Sequence, residues 1–415
     1  MPKASQPTGP LAGVKVVEFS VFMAGPTCGL MLADMGADVI KVEKTPDGED
    51  TRRLTPPAVN GEPASFMIMN RNKRGFAVDL KSEGGKRAIR KLIQGADILI
   101  ENFRPGTLEK LGLGYEELRK DNPGLVYGKA SGYGLTGPLS DRGGVDLIAQ
   151  AFSGVMSVTG EAPGRPPVKV GPPLSDTTAG MLLAMGVTAA YANRLKTGEG
   201  QLVETSLIEA AMSHTYWQSA IYFATGESAG PMGSAHPLTS PYQAYRCADG
   251  FAVLCASNQK HWEALIRAIG APEALIADPR FVDNGSRRRN NEALTEALEA
   301  VLTKHPRRHW IEKLEAVGVP VGPVHSIGEA LDHPHTVARE MVVEVDHPRA
   351  GRMKTLGCPV KFSRTRAQVR KAAPLYGEDT RDILREIGFG EAEIAELERE
   401  GAVGVTEGAQ QRPVK

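Results

Sequence analysis

The sequence predicts an α/β fold with a Rossmann-like large domain, built on a parallel sheet, and a smaller α+β domain. Residues 14–19 and 38–43 are short runs rich in β-branched residues, and the apolar segment between them has helical spacing and ends at Gly36. The same strand–helix–strand pattern recurs over residues 77–101, and residues 125–131 add a further strand. Strands that alternate with helices in this way form a parallel sheet covered by helices.

The length and the change of pattern along the chain predict two domains. With 415 residues the chain is two to three times the ~150 residues of a typical domain. Residues 242–256 read as a hairpin with an Asp-Gly turn, followed by helices rather than by further strand–helix–strand units. The predicted division is a disordered tail (1–10), the first part of the large domain (11–225), the small α+β domain (226–330), a return segment that completes the large domain (331–405), and a second disordered tail (406–415).

Composition argues against several classes of partner. Lys+Arg and Asp+Glu both number 49, so the chain has no net field that would draw it to nucleic acid or an anionic membrane. The four cysteines lack CxxC spacing, and the N-terminal residues lack the apolar segment of a secretory signal. The longest apolar stretch, residues 179–191, is shorter than the ~20 residues that span a bilayer. We therefore expect a cytoplasmic protein with neither nucleic-acid nor membrane partners.

Asp176 is the strongest candidate for a catalytic residue. It lies in residues 171–180 (GPPLSDTTAG), without a basic neighbour and among small residues. A carboxylate in such a setting can act as a nucleophile toward an acyl carbon. The alternative is that Asp176 only caps the following helix, and a cap position would also keep the carboxylate ionised in the field of the helix N-terminus. Asp146 is a second carboxylate candidate, ranked below Asp176.

Four segments together resemble the class III CoA-transferase family, of the CaiB/BaiF and formyl-CoA transferase type. They are residues 18–26 (EFSVFMAGP), 101–106 (ENFRPG), 143–160 (GGVDLIAQAFSGVMSVTG) and 171–180. The segments 278–289 and 318–324 resemble the small domain of the same family, so the resemblance extends over nearly the whole chain.

The resemblance implies an activity, a substrate and an assembly. A CoA-transferase of this type moves CoA from an acyl-CoA donor to a carboxylic acid, through an aspartyl-acyl anhydride and an enzyme-bound CoA thiolate. Asp176 would be the aspartate that forms the anhydride, and the resemblance gives Asp146 a structural or supporting role. Coenzyme A or its thioester would bind as substrate, with no metal and no nicotinamide, and two chains would form an interlocked homodimer.

The CoA-binding residues are expected where loops leave the carboxyl ends of the strands, which is the ligand edge of such sheets. Phosphates of CoA require arginine or lysine donors. The resemblance gives Arg71, Asn102, Phe103 and Arg104 as residues that line the nucleotide, and the complete expected set is Lys44, Arg71, Asn102, Phe103, Arg104, Ser131 and Tyr133. The alternative for the basic run at residues 71–74 is a solvated surface loop.

Three residues are candidates for contact with the acyl group or the acceptor. Met23 occupies a position where formyl-CoA transferases of the family have glutamine, and residues 232–240 contain one glycine where those enzymes have a run of them. The acceptor site is therefore expected to differ from the formyl/oxalate type. Val145 lies before Asp146, and His236 is a candidate donor to an acceptor carboxylate, with an ordinary structural role as its alternative.

Other functions are weighed against specific residues. The α-methylacyl-CoA racemase branch of the family has a histidine at the position of Val145, and a hydrocarbon side chain cannot move a proton. A non-catalytic acyl-CoA-binding protein remains an alternative, distinguished by whether an acyl group becomes covalent on the protein. No P-loop motif (GxxxxGK[ST]) occurs in the sequence. The nine histidines lack metal-site spacing, so no metal is expected.

Overall fold

A computed structural model describes residues 8–406 of the chain. Two compact units are present: unit 1 contains residues 8–153, 171–214 and 334–406, and unit 2 contains residues 154–170 and 215–333. Unit 2 thus includes segments that the sequence assigns to the large domain.

The predicted tails fall mostly outside the described residues. Residues 1–7 and 407–415 are not described. Residues 8–10, in contrast, pack against the body of unit 1: the Gly9 carbonyl accepts a hydrogen bond from the Ala12 N–H, and a Cβ on Gly9 would lie 2.1 Å from the Met35 carbonyl oxygen. The expected disorder therefore does not extend to residue 10.

The strands are, in chain order, β1 (Lys15–Phe19), β2 (Asp38–Lys44), β3 (Ala58–Val59), β4 (Glu62–Pro63), β5 (Lys73–Val78), β6 (Ile98–Glu101), β7 (Val126–Ser131), β8 (Leu202–Ser206), β9 (Tyr242–Cys247), β10 (Gly250–Cys255), β11 (Val321–Pro323), β12 (Val342–His347), β13 (Gly351–Leu356) and β14 (Val403–Gly404).

The α-helices are, in chain order, α1 (Ala24–Asp34), α2 (Ala64–Met69), α3 (Glu83–Gln94), α4 (Tyr115–Asp121), α5 (Asp146–Phe152), α6 (Val155–Val158), α7 (Leu174–Thr197), α8 (Leu207–Met212), α9 (Tyr216–Thr225), α10 (Gln259–Ile269), α11 (Ala274–Ala277), α12 (Asn284–Arg289), α13 (Asn291–Leu302), α14 (Arg307–Glu315), α15 (Ile327–Asp332), α16 (Pro334–Ala338), α17 (Thr380–Glu386) and α18 (Glu391–Arg399). Short 3₁₀ helices occur at Asp50–Arg53 and Glu109–Leu111.

Unit 1 is organised by a seven-stranded sheet in the order β14-β5-β2-β1-β6-β7-β8. All neighbouring pairs are parallel except β14 with β5, which are antiparallel. The predicted α/β class and the parallel sheet are confirmed. Without β14, the order of the six parallel strands is that of a Rossmann fold, in which the topological switch point lies between β1 and its later neighbour β6. A ligand crevice is expected at the carboxyl ends of these two strands.

Both faces of the sheet are apolar, because successive side chains of each strand point to opposite sides. On one face Val16, Val39 and Ile98 pack in a core shared with α1 and α7. On the other face Val17, Leu99 and their neighbours pack with α3, α4, α17 and α18. The C-terminal segment thus covers the face that α1 and α7 do not cover.

Glycine allows α7 to approach α1 closely. A Cβ on Gly180 would lie 2.5 Å from the Ala24 carbonyl oxygen and 2.5 Å from the Thr27 Cβ. Since Ala24 begins α1 just after β1 ends, this contact places the N-terminal turns of α7 near the carboxyl end of β1.

Unit 2 contains an antiparallel sheet in the order β11-β10-β9. The hairpin predicted around Asp249 is confirmed by the pairing of β9 with β10. Its core is formed by Tyr245, Trp262, Phe281 and aliphatic side chains of the following helices. Within residues 8–406, none of the helices has both the length and the apolar character required to cross a membrane.

Candidate active site

The turn between β1 and α1 lies at the switch point and is fixed by Asn102. The Asn102 Oδ1 accepts a hydrogen bond from the Val21 N–H at 2.9 Å, and its Nδ2 donates to the Val21 carbonyl at 2.8 Å. A Cβ on Gly25 would lie 2.5 Å from the Ser20 Cβ and 3.0 Å from the Asn102 Cγ, so only glycine fits there. Asn102 therefore joins the carboxyl ends of β1 and β6.

The loop after β7 contacts the segment that leads into α5. A Cβ on Gly132 would lie 2.5 Å from the Gly144 backbone nitrogen, so the two backbones touch. The exposed Arg104 lies beside the same segment, with its Nε 3.6 Å from the position that a Cβ on Gly143 would take. The predicted site residues after β6 and β7 are thereby brought to one place.

Asp146 joins the start of α5 to the start of α7. Its Oδ1 accepts a hydrogen bond from the Ser175 N–H at 2.8 Å, and its Oδ2 accepts one from the Gln150 Nε2 at 2.8 Å. An unsatisfied N–H in the first turn of α7 is thus bonded to a side chain from another helix. The supporting role expected for Asp146 corresponds to this contact.

Asp176 lies in the first turn of α7, but it is not the cap. The N-cap position is Pro173, so the interpretation of Asp176 as an N-cap is wrong. Burial, and to a lesser extent the nearby Asp146 carboxylate, together raise the pKa of Asp176 to about 6. The helix N-terminus therefore does not hold this carboxyl group at its ordinary pKa.

The Asp176 carboxylate has no counter-charge of its own. Within residues 8–406 it takes part in no hydrogen bond and no ion pair, although its residue is half-buried. The carboxylate is therefore available to react.

Met23 and Val145 lie next to the carboxylates. The Thr177 hydroxyl donates to the Met23 Sδ at 3.7 Å, which places Met23 beside the first turn of α7. Val145 is the N-cap residue of α5, immediately before Asp146, and its side chain is 59% exposed. Both positions are therefore close to Asp176 or to its charged neighbour.

Four other predicted CoA-binding residues are placed at the ends of the strands. The Phe103 N–H donates to the Glu101 Oε2, and the Ser131 Oγ accepts from the Gly134 N–H. The Tyr133 ring packs edge-on against Phe152 with centroids 5.7 Å apart. Lys44 is exposed and forms an ion pair with Asp50 at 3.2 Å.

Arg71 has a different environment from the one expected. Its Nη2 lies 2.7 Å from the Asp34 Oδ2, and the residue is 3% exposed. Asn72 donates to the other oxygen of the same carboxylate. The alternative of a solvated basic loop is wrong, and the expected contact of Arg71 with a nucleotide finds no support in this geometry.

His236 belongs to unit 2, where its ring is held by local contacts. Its Nδ1 accepts a hydrogen bond from the Leu238 N–H at 3.1 Å, and the ring stacks on Tyr242 with centroids 5.0 Å apart. The structural role named as its alternative accounts for these contacts.

A basic groove in unit 1 was missed by the sequence reasoning. It has a volume of about 940 Å³ and follows α3 and the loop after β6; its basic lining residues are Lys81, Lys86, Arg87, Arg90, Lys91 and Lys110. Within the described residues, Lys81, Arg90 and Lys110 have no ion-pair partner. Lys110 approaches Gly106, which lies in the same loop as Arg104. The basic residues spaced along α3 are the feature of the sequence that could have indicated this groove.

The described residues contain no group of three or more His, Cys, Asp or Glu side chains placed to hold a metal ion.

The sequence is similar to known proteins over nearly the whole chain. Residues 11–380 match the model of CoA-transferase family III. An acetyl-CoA:oxalate CoA-transferase of Acetobacter aceti is 37% identical over 94% of this chain and 98% of its own length. A succinyl-CoA:glutarate CoA-transferase of Mus musculus is 34% identical over 95% of this chain and 90% of its own.

A solved structure has the same fold. The crystal structure of a CaiB/BaiF family protein from Brucella suis superposes with a TM-score of 0.82 and is 36% identical, covering 92% of this chain and 100% of that one. The family match and these relatives each extend over most of the chain. The protein with Asp176 at the start of α7 belongs to CoA-transferase family III.

Proposed function

We propose that this protein transfers CoA from an acyl-CoA donor to a carboxylic acid acceptor, with Asp176 as the nucleophile. The observation that carries the proposal is the unpaired, half-buried carboxylate of Asp176 beside the β1–α1 turn. The buried carboxylates that connect strands and helices, Glu18, Asp34 and Glu101, each lie within ion-pair distance of a lysine or arginine, and Asp176 has no such pair within the described residues. The names of the relatives support the same class of reaction.

In the first half of the reaction, an Asp176 oxygen attacks the carbonyl carbon of the thioester. The C–S bond breaks, CoA leaves as a thiolate, and Asp176 becomes one half of a mixed anhydride. No proton has to move, because a carboxylate attacks and a thiolate leaves. Asp176 must be ionised for this step, and a pKa of about 6 meets that requirement at neutral pH.

In the second half, the acceptor carboxylate attacks the Asp176 carbonyl carbon. The donor acid leaves with the bridging oxygen, and Asp176 is now joined to the acceptor. The bound thiolate then attacks the acceptor acyl carbon, which releases the new thioester and regenerates the Asp176 carboxylate. The first half replaces an acyl C–S bond with an acyl C–O bond, and the second half exchanges acyl C–O bonds and then forms a new acyl C–S bond. No carbon or sulfur atom changes its oxidation state, so no oxidant or reductant is required.

The basic groove is the proposed binding site for the phosphates of CoA. Four of its cations, Lys81, Arg90, Lys91 and Lys110, have no ion-pair partner within the described residues. Phosphate oxygens are the ligands that such lysine and arginine groups bind best. Lys110 approaches Gly106, which lies in the same loop as Arg104. The pantetheine arm would therefore extend from the groove past Arg104 toward the segment around Gly143 and then to Asp176.

A dicarboxylic acid is the proposed acceptor. The relatives named above are an acetyl-CoA:oxalate and a succinyl-CoA:glutarate CoA-transferase, and both acceptors named are dicarboxylates. The donor is proposed to be a short acyl-CoA such as succinyl- or acetyl-CoA. A racemase is disfavoured because Val145 is a hydrocarbon and cannot exchange a proton.

A homodimer is proposed as the functional assembly. Met181, Met185 and Leu195 lie on one face of α7 and are 45%, 66% and 70% exposed. In unit 2, Tyr216 and Phe223 are 76% and 84% exposed and share a face of α9. Exposed apolar helix faces of this kind are typical of protein interfaces, and a second copy of the chain is the partner that the family resemblance implies.

Asp176→Asn is expected to abolish the covalent intermediate. The wild-type protein, mixed with succinyl-, acetyl- or formyl-CoA and then hydroxylamine, should yield a hydroxamate on Asp176 by peptide mass spectrometry. The variant should form none, and its turnover should fall at least about 10³-fold because an amide is a poor nucleophile. Asp146→Asn is the matched carboxylate control and should still form the adduct. An adduct on another residue, or turnover by Asp176→Asn, would contradict the proposal.

The rate of adduct formation is expected to rise with pH through about 6, since only the ionised Asp176 is nucleophilic. Asp146→Asn removes the neighbouring negative charge and keeps an oxygen acceptor for the Ser175 N–H. The pKa of Asp176 should then fall, which moves the acid limb lower by roughly 0.5 to 1 pH unit. Quenched-flow mass spectrometry over a pH series measures the acid limb of the wild type and of Asp146→Asn. If the acid limb of the variant stays in place or moves to higher pH, electrostatic coupling between the two carboxylates is excluded.

Arg90→Gln and Lys110→Gln are expected to weaken CoA binding without a comparable loss of turnover at saturation. Each loss of a phosphate contact should raise the Kd for CoA about 3- to 10-fold, measured by calorimetry. Dephospho-CoA, which lacks the 3′-phosphate, distinguishes a contact with that phosphate from a contact with the pyrophosphate. A variant that has lost the 3′-phosphate contact should bind CoA and dephospho-CoA with similar affinity. Lys304→Gln, an exposed lysine of unit 2, is the control. Unchanged affinities in both groove variants would place the phosphates elsewhere.

Light scattering coupled to size exclusion is expected to give twice the chain mass at every concentration tested. Interlocked chains cannot separate by dilution, so the mass should not fall as the sample is diluted. A monomer that persists at high concentration would refute the dimer and leave the exposed faces of α7 and α9 unexplained.

A further inference from the structure

Three charged side chains without any solvent exposure lie beneath the β1–α1 turn. Glu18 is on β1, Lys41 on β2 and Lys73 on β5, and each is 0% exposed. Removing two ammonium groups from water is costly unless each is paired and hydrogen-bonded. Charges this deep in a sheet therefore require a structural or functional reason.

Both lysines bond to Glu18, and both also hold the turn itself. Lys41 Nζ donates to the Glu18 Oε1 at 3.3 Å and to the Ser20 carbonyl at 3.0 Å. Lys73 Nζ donates to the Glu18 Oε1 at 3.0 Å and to the Pro26 carbonyl at 3.0 Å. Ser20 begins the turn, and Pro26 lies in the first turn of α1, just after it. One buried carboxylate thus connects two cations that hold the chain on either side of the turn.

The residues between Ser20 and Pro26 form few other hydrogen bonds to the rest of unit 1. Val21 is held by Asn102, and the Phe22 N–H donates to the Glu49 Oε2 at 3.2 Å. Phe22 has a φ of 61°, a left-handed conformation that costs energy for a residue other than glycine. The surrounding bonds must therefore maintain the shape of the turn.

The turn transmits this geometry to the catalytic helix. Met23 accepts the bond from Thr177, the residue after Asp176. The Ala24 carbonyl oxygen lies against Gly180, where a Cβ would be 2.5 Å away. A shift of the turn would therefore move the surface against which the first turns of α7 pack.

Lys73 is the member of the cluster that can change charge in an accessible pH range. Burial lowers its pKa to about 8. The positive charge of Lys41 on β2 also lowers this pKa. The negative charges of Glu18 on β1 and Glu49 after β2 raise it. Cys28 on α1 also faces the group, but burial raises the pKa of its thiol so far that it stays neutral.

Loss of the proton would leave the bonds of Lys73 incomplete. Its ammonium group faces three acceptors: Glu18, the Pro26 carbonyl and the Asn70 Oδ1 at 2.9 Å. A neutral amine has two N–H donors, so one acceptor would lose its partner. Glu18 would also lose one of its two compensating charges.

We propose that Lys73 is a positioning residue for acyl transfer: its ammonium form holds the Pro26 carbonyl and so seats the β1–α1 turn against α7, and its deprotonation releases the turn. This inference rests on the proposed nucleophilic role of Asp176. Lys73 touches neither substrate nor Asp176 and acts only through the turn.

The test measures the rate of Asp176 adduct formation from about pH 6.5 to 10, corrected for thioester hydrolysis. In the wild type the rate should fall about tenfold per pH unit above about pH 8. Lys73→Arg should abolish the fall, because arginine stays protonated throughout this range. Glu18→Gln should move the fall lower by about 1 pH unit or more, since the opposite charge that favours protonated Lys73 is gone.

Lys129→Arg is the matched control. Lys129 is a buried lysine of the same sheet, 2.7 Å from Glu101, and it bonds to no atom of the turn. This variant should keep the alkaline fall at the wild-type pH. Loss of the alkaline fall in Lys129→Arg, as in Lys73→Arg, would overturn the specific role of Lys73.

A second measurement does not depend on the folding of any variant. Hydrogen exchange of the wild-type protein, corrected for intrinsic rates, should show that residues 20–30 lose protection above about pH 8 while residues 126–131 do not. Constant protection of residues 20–30, or an identical pH profile in wild type, Lys73→Arg and Glu18→Gln, would overturn the inference and leave acyl transfer intact. Absence of any adduct in the wild type at every pH would instead overturn the proposed function, and this inference with it.

Discussion

The close packing of α7 on the β1–α1 turn is the constraint on which the rest of unit 1 depends. At Gly180 the helix approaches the Ala24 carbonyl so closely that any larger side chain would displace the backbone. This approach places the first turn of α7 at the carboxyl edge of the sheet, where a Rossmann-like fold binds its ligands. The position of Asp176 is therefore a consequence of backbone packing and not of bonds made by its own side chain.

The contrast between Asp176 and the other buried carboxylates separates structural from reactive roles. Glu18, Asp34 and Glu101 each lie within ion-pair distance of a buried lysine or arginine, and each connects different strands or helices. Asp176 has no such partner within the described residues. The charged group that shifts its pKa is Asp146, which carries the same sign of charge. The protein compensates the buried charges that hold the fold and leaves uncompensated the one proposed to react.

Much of the fold could be predicted because local patterns and tertiary structure agree. The strand–helix–strand pattern predicted over residues 77–101 contains α3 and β6, and β1, β2 and β7 follow their predicted β-branched runs within a few residues. The short strands β3 and β4 were not predicted. The assignment of residues 154–170 to unit 2 could not be predicted, because it depends on long-range contacts and has no local signal.

The site was predicted less completely, for physical reasons that differ between residues. Asp176 was identified by its small, uncharged neighbours, but its raised pKa depends on burial and on Asp146, which is distant in sequence. Arg71 was expected to face a ligand, because its sequence context does not reveal that Asp34 lies opposite it. The basic groove combines side chains of α3 with Lys110, and only the folded chain brings these together.

Isotope transfer tests the role of Asp176 most directly. The wild-type protein would be turned over with an acyl-CoA that forms the adduct and with the free acid of the same acyl group, labelled with ¹⁸O in its carboxylate. If Asp176 forms an anhydride with the acceptor, the final attack of the thiolate leaves one acceptor oxygen on Asp176. We expect the peptide that contains Asp176 to gain labelled oxygen with turnover, located on that residue by fragmentation. CoA exchange that proceeds while this peptide stays unlabelled would contradict covalent catalysis by Asp176.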